Sequence, residues 1–305
     1  MRLIFFGTPE FASTSLKAIV EAGFNVVGVV TAPDKQAGRG RKIQSSHVKE
    51  TALELGIPVA QPTNLKAESF QEQLQKWNPD LGIVIAFRML PEKVWSFPKL
   101  GTVNLHGSIL PKYRGAAPIH HAIINGERET GVSTFFLKHE IDTGNLIQTA
   151  QIEIPNDMNT GELHDKLMHL GAETMVNTIK LIAEHGKETP SFPQGEITET
   201  TPVAPKLNRD FCELDISQKA ETIYNKIRGL APYPGAWINS EFGILKIYSA
   251  EISDHSSSNK EPVYVENQHL WLNSKDCPLK IIALQPQGKP KMGAKDYING
   301  LKNKS

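Results

Sequence analysis

Residues 103–118 read V-N-L-H-G-S-I-L-P-K-Y-R-G-A-A-P. Val103 and Leu105 alternate with Asn104 and His106, the period-two pattern of a short strand with one apolar and one polar face. Gly107 ends the strand, so an amide and an imidazole project together from its carboxyl end. Open α/β sheets bind their ligands at such ends. A lone Asn-x-His pair is more often structural than catalytic, but Asp142 changes the balance. It follows the apolar residues 132–137 and precedes Thr143-Gly144, on a loop leaving a second strand. An amide donor, a titratable ring and a carboxylate at neighbouring strand exits are the parts of acyl transfer.

Outward from this segment the chain alternates strand and helix patterns. Residues 3–6, 25–31, 58–60 and 81–86 read as apolar strands; residues 11–22, 47–55 and 68–77 read as helices, the first two closed by Gly23 and Gly56. Such alternation predicts a mostly parallel sheet with crossover helices. A long helix is expected over residues 161–184, capped by Asn159 or Thr160. The first strand-to-helix turn, Phe6-Gly7-Thr8-Pro9, lacks the G-x-G-x-x-G spacing that brings backbone against a pyrophosphate, so dinucleotide binding is disfavoured.

Residues 190–205 hold Pro190, Pro193, Gly195, Pro202 and Pro205 and read as a linker. Beyond them come a helix over residues 217–229 and five short strand-like runs, at residues 236–239, 244–249, 263–265, 269–272 and 279–284. Short strands separated by turn residues predict a small β-barrel or sandwich. A length of 305 residues suits two domains. The boundaries expected are 1–189, 190–206 for the linker, and 207–305.

Formal net charge is zero, so any nucleic-acid site must be a local patch rather than a global field. Cys212 and Cys277 have no metal-ligand spacing and read as reduced thiols. His120, His121, His164 and His169 show no ligand pattern either, and no metal is expected. The apolar start is too short for a signal peptide, and no apolar run reaches the roughly 18 residues of a membrane span. A cytoplasmic location is expected.

Asn104, His106, the loop Ser108-Ile109-Leu110-Pro111 and Asp142-Thr143-Gly144 together resemble the folate-dependent formyltransferases. The resemblance implies an α/β, Rossmann-like catalytic domain followed by a small C-terminal, OB-like β-barrel. It implies 10-formyltetrahydrofolate as formyl donor, with Ser108, Ile109, Leu110 and Pro111 holding the folate and Asn104, His106 and Asp142 performing the transfer. Ile109 stands where the family has leucine. Phe87-Arg88-Met89 replaces a Tyr-Gly pair near the expected pterin pocket.

Two further segments speak to the acceptor. Residues 34–42, D-K-Q-A-G-R-G-R-K, combine two glycines with four cations, a pattern that attracts phosphate. The family branch that acts on methionyl-initiator tRNA carries such an insertion, reaching the acceptor stem and 3′ end, which implies tRNA contacts by Arg39, Arg41 and Lys42. Residues 231–237 and 285–292 are similar to the tRNA-binding domain of that branch. The tail gathers Lys280, Lys289, Lys291, Lys295, Lys302 and Lys304 against Asp296 alone. The resemblance implies a monomer. The alternative acceptor is a nucleotide sugar or a purine precursor.

Overall fold

The computed structural model describes residues 1–37, 42–256 and 258–302. The chain divides into two compact units. Residues 1–115, 131–152 and 164–202 form the first, and residues 116–130, 153–163 and 203 onward form the second. The division does not run in simple chain order. Two stretches of the first half belong with the C-terminal part, where Thr160 Oγ1 donates to the Gly229 carbonyl at 2.7 Å and Arg228 Nη1 to the Met158 carbonyl at 2.9 Å.

The first unit is built on a seven-stranded sheet. Its strands are β1 (Arg2–Gly7), β2 (Asn25–Val30), β3 (Val59–Ala60), β4 (Leu81–Ile85), β5 (Thr102–His106), β6 (Glu129–Phe136) and β7 (Leu146–Glu153). They lie in the order β7-β6-β5-β4-β1-β2-β3. Strands β1 to β5 pair in parallel, and β6 runs antiparallel to β5. The chain builds outward from β1 to β3 on one side, then returns to add β4 and β5 on the other. The sheet therefore has its topological switch between β1 and β4.

Crossover helices α1 (Glu10–Glu21), α2 (His47–Glu54) and α3 (Glu68–Trp77) join these strands. β1 and β4 are buried along nearly their whole length, as parallel strands covered on both faces must be. Gly28 is where α3 comes closest to the sheet. A Cβ there would sit 2.5 Å from the Trp77 indole. Gly28→Ala should therefore destabilise by about 1–3 kcal/mol through overpacking, read as a fall in the urea midpoint at unchanged m-value.

The long helix α4 (Thr160–His185) begins just after Asn159, one of the two caps expected. The Asn159 side chain accepts from the Glu162 N–H at 3.1 Å, and Glu162 accepts from the Asn159 N–H at 2.9 Å, a reciprocal capping box. Leu163, Leu167, Met175, Ile179 and Ile182 are buried at helical spacing. Gly171 lets this helix approach β5: a Cβ there would lie 2.8 Å from Leu105 Cδ2. The Leu105 face of β5 is thus packed against α4, and Asn104 and His106 lie on the opposite face.

The second unit holds α5 (Ala220–Leu230), then β8 (Ala236–Ser240), β9 (Gly243–Ile252), β10 (Val263–Glu266), β11 (His269–Leu272) and β12 (Leu279–Pro286). These strands form the antiparallel sheet expected of a small barrel domain, in the order β8-β9-β12-β11-β10. α5 starts at Ala220, three residues later than its pattern suggests. Asp215 closes a turn on the Ser217 N–H, and the helix is capped from outside by Asp276, which accepts from the Ala220 N–H at 2.8 Å. Within the lysine-rich tail, residues 294–302 form a helix, α6 (Ala294–Lys302), with Ile298 buried in the core of this unit.

Candidate active site

Asn104 and His106 leave the same side of β5, at its carboxyl end, as the alternation requires. His106 is 7 % exposed, and Asn104 is partly open. The His106 Nε2 lies 2.8 Å from the Tyr113 carbonyl oxygen. A carbonyl can only accept, so Nε2 carries a proton. The other ring nitrogen, Nδ1, faces Asp142 Oδ2 at 3.9 Å. The fold therefore engages Nε2 as a donor to Tyr113 and aims Nδ1 at a carboxylate.

Asp142 lies on the loop between β6 and β7 in the left-handed region, at φ 56°. Aspartate tolerates this better than most residues, but the conformation persists only where its surroundings hold it. Oδ2 accepts from the Gly115 N–H at 3.1 Å. Gly144 follows, where any Cβ would collide with the Phe136 carbonyl oxygen. Gln194 completes the support. Its Nε2 donates to the Asp142 carbonyl at 2.8 Å and the Gly144 carbonyl at 2.9 Å, while its Oε1 accepts from Arg114 Nε at 3.0 Å and from Arg114 Nη2. Burial lowers the Arg114 guanidinium pKa, and the Asp142 and Glu140 carboxylates oppose that fall.

The loop Ser108, Ile109, Leu110 and Pro111 lies beside this pair but turns much of its hydrogen bonding inward. The Ser108 hydroxyl donates to the Lys112 carbonyl at 2.7 Å. Ser133, fully buried on β6, donates to the Ser108 carbonyl at 2.8 Å and accepts from the Leu110 N–H at 3.1 Å. Ser108 thus shapes the loop, and Ile109 is more open than Ser108 or Leu110. Ser133→Ala would leave two buried backbone groups without this partner, a loss of about 1–3 kcal/mol by denaturant unfolding.

Arg88 is exposed but anchored to neighbouring backbone. Nη1 donates to the Thr63 carbonyl at 2.9 Å and Nη2 to the Pro62 carbonyl at 2.5 Å, with the guanidinium 5.8 Å from the Phe87 ring centre. Ala86, at the exit of β4, has φ 46°. Among the described residues no group of three His, Cys, Asp or Glu could hold a metal ion. Arg39 and Arg41 lie outside the described residues, and Lys42 opens the short strand Lys42–Gln44.

Residues 190–202, read as a linker from composition, are knit into the first unit. Phe192 and Leu146 exchange backbone hydrogen bonds at 2.8 Å, and the Tyr113 N–H donates to the Pro202 carbonyl at 2.6 Å. Sequence reading missed Gln194, Ser133 and Tyr113. Their partners lie as far as 89 residues away, as Pro202 does from Tyr113, and nothing in local pattern marks them.

Residues 1–179 match the family model described as formyl transferase, and residues 206–302 match the formyl transferase C-terminal domain. The chain belongs to the formyl transferase family. A methionyl-tRNA formyltransferase of Bacteroides fragilis is 46% identical over 310 residues, covering 98% of this chain and 95% of that protein. Another, of Flavobacterium johnsoniae, is 45% identical over 307 residues, covering 99% and 96%. Among solved structures, the sugar 3N-formyl transferase WlaRD has a TM-score of 0.68 at 19% identity, covering 95% of this chain and 99% of that one. HypX from Aquifex aeolicus in complex with tetrahydrofolic acid has a TM-score of 0.64 at 18% identity, covering 98% of this chain and 47% of that one. At such identities the solved structures establish the formyl transferase fold alone.

Proposed function

We propose that this chain transfers the formyl group of 10-formyltetrahydrofolate to the α-amine of methionine esterified to initiator tRNA. Residues 1–189 act as the catalytic domain and residues 207–305 as the tRNA-binding domain. The observation that carries the reading is the His106 ring, held between the Tyr113 carbonyl and Asp142 at a strand exit. It stands in a chain that matches methionyl-tRNA formyltransferases from end to end.

An ordinary α-amine has a pKa of about 7.7–8.0, and esterification removes the carboxylate that helps keep it protonated. Much of it is neutral at cellular pH, so no covalent nucleophile is required. The site must hold amine and formyl carbon together, stabilise the oxygen as it gains negative charge, and move one proton. Asn104 donates an amide hydrogen to that oxygen. His106, protonated on Nδ1 and stabilised by Asp142, donates the second. As the new C–N bond forms, the attacking nitrogen gives up a proton. Asp142 relays it to the folate nitrogen released when the old C–N bond breaks.

The second unit offers a surface suited to RNA. A groove of about 610 Å³ is lined by Arg209, Tyr233, Trp237 and Lys246, with no carboxylate among its lining residues. The Arg209 guanidinium stands 5.3 Å from the Trp237 ring centre, and Tyr233 is 79% exposed. Aromatic faces and cations in one groove are what an RNA backbone and its unstacked bases require.

The test removes charge where tRNA contact is proposed. Arg39→Ala, Arg41→Ala and Lys42→Ala together should weaken methionyl-tRNA binding and reduce the slope of log affinity against log salt by about 2–3. Unchanged tRNA affinity and salt dependence would remove these residues from the RNA interface.

A further inference from the structure

We propose that Gln194 is a positioning residue for the transfer reaction. It locks the backbone of the Asp142 loop so that the carboxylate faces His106. The proposal rests on the assignment of Asp142 as a catalytic group.

The Gln194 amide has its hydrogen-bonding capacity spent at one place. Oε1 takes two guanidinium hydrogens from Arg114, and Nε2 gives its two hydrogens to the carbonyls of Asp142 and Gly144. That pattern also fixes its orientation: a flipped amide would set N–H against guanidinium and oxygen against two carbonyls. The loop it grips contains the left-handed Asp142, in a conformation that costs energy and must be imposed by its surroundings. Two anchors impose it. The Gly115 N–H holds the carboxylate, and Gln194 holds the backbone on either side of Thr143.

The same stretch that carries Gln194 also braces the other half of the pair. Pro202 accepts from the Tyr113 N–H, and the Tyr113 carbonyl fixes the His106 ring. Residues 192–202 therefore support both members of the His106–Asp142 pair from behind. Loss of the Gln194 contacts leaves the Asp142 carboxylate its Gly115 anchor and the loop its internal Thr143–Glu140 hydrogen bond, without the two bonds that grip the backbone at Asp142 and Gly144. A misplacement of about 1 Å can cost 10²-fold in rate.

The experiment is single-turnover formylation of methionyl-initiator tRNA by wild type, Gln194→Met, Gln194→Glu, Asp142→Asn and the Gln194→Met/Asp142→Asn double variant. Gln194→Met keeps the length and loses the amide. Gln194→Glu keeps the acceptor for Arg114 and loses both donors, and it serves if the first variant folds poorly. Both should be slowed about 10–100-fold, with the KM for 10-formyltetrahydrofolate within about 2-fold of wild type. The double variant should be no more than about 2-fold slower than Asp142→Asn, because Gln194 acts through Asp142. Wild-type rates in both Gln194 variants beside a slow Asp142→Asn would overturn the positioning role and leave the Asp142 assignment standing. Additive losses would also overturn it. A wild-type rate in Asp142→Asn would instead remove Asp142 from the reaction, and this proposal with it.

Discussion

His106→Asn is expected to slow the single-turnover transfer by about 10²–10⁴-fold, the range over which general acid–base groups contribute. The variant keeps a polar side chain at the exit of β5 but cannot span from the Tyr113 carbonyl to Asp142 as the ring does. Two effects add. The proton donor to the developing oxyanion is lost, and so is the charge that Asp142 would stabilise. A thermal unfolding scan separates this from misfolding, since the Leu105 face of β5 against α4 is untouched. Slow transfer with an unchanged melting temperature supports the role. A near-normal rate would make His106 a buried structural histidine.

Asn104→Ala is expected to cost about 10²–10³ in rate, or about 2.7–4 kcal/mol, the usual effect of removing one preorganised oxyanion donor. The KM for 10-formyltetrahydrofolate should change little, because a donor aimed at the charged transition state contributes little to ground-state binding. Asn104→Asp sharpens the point. It preserves shape, removes the donor and places a negative charge where negative charge must develop, so it should be at least as slow as alanine. If aspartate restored the rate, Asn104 would be serving some purpose other than donation.

The proposed catalytic trio, Asn104, His106 and Asp142, could be picked out in the sequence because each member obeys a local rule. Asn104 and His106 share a face by strand alternation, and Asp142 follows an apolar run at the next strand exit. An N-cap at Asn159 or Thr160 and the mostly parallel sheet were legible for the same reason. What holds the trio in place was not. Ser133, Gln194 and Tyr113 are common residue types whose partners come from distant parts of the chain, and the proline-rich composition around Gln194 points to a spacer instead. The Ser108 hydroxyl shows the converse. Its motif led to the expectation of a folate contact, but its side chain is spent on the loop's own backbone. The start of α5 moved because its cap, Asp276, comes from a later segment rather than from its own sequence.

The most direct test charges initiator tRNA with labelled methionine and follows the label after addition of 10-formyltetrahydrofolate and the wild-type protein. The account predicts that the label appears as N-formylmethionine on the tRNA, in a reaction that requires the folate and is lost in Asn104→Ala and His106→Asn. Label that remains as methionine, while an amino-sugar nucleotide or glycinamide ribonucleotide is formylated under the same conditions, would contradict it.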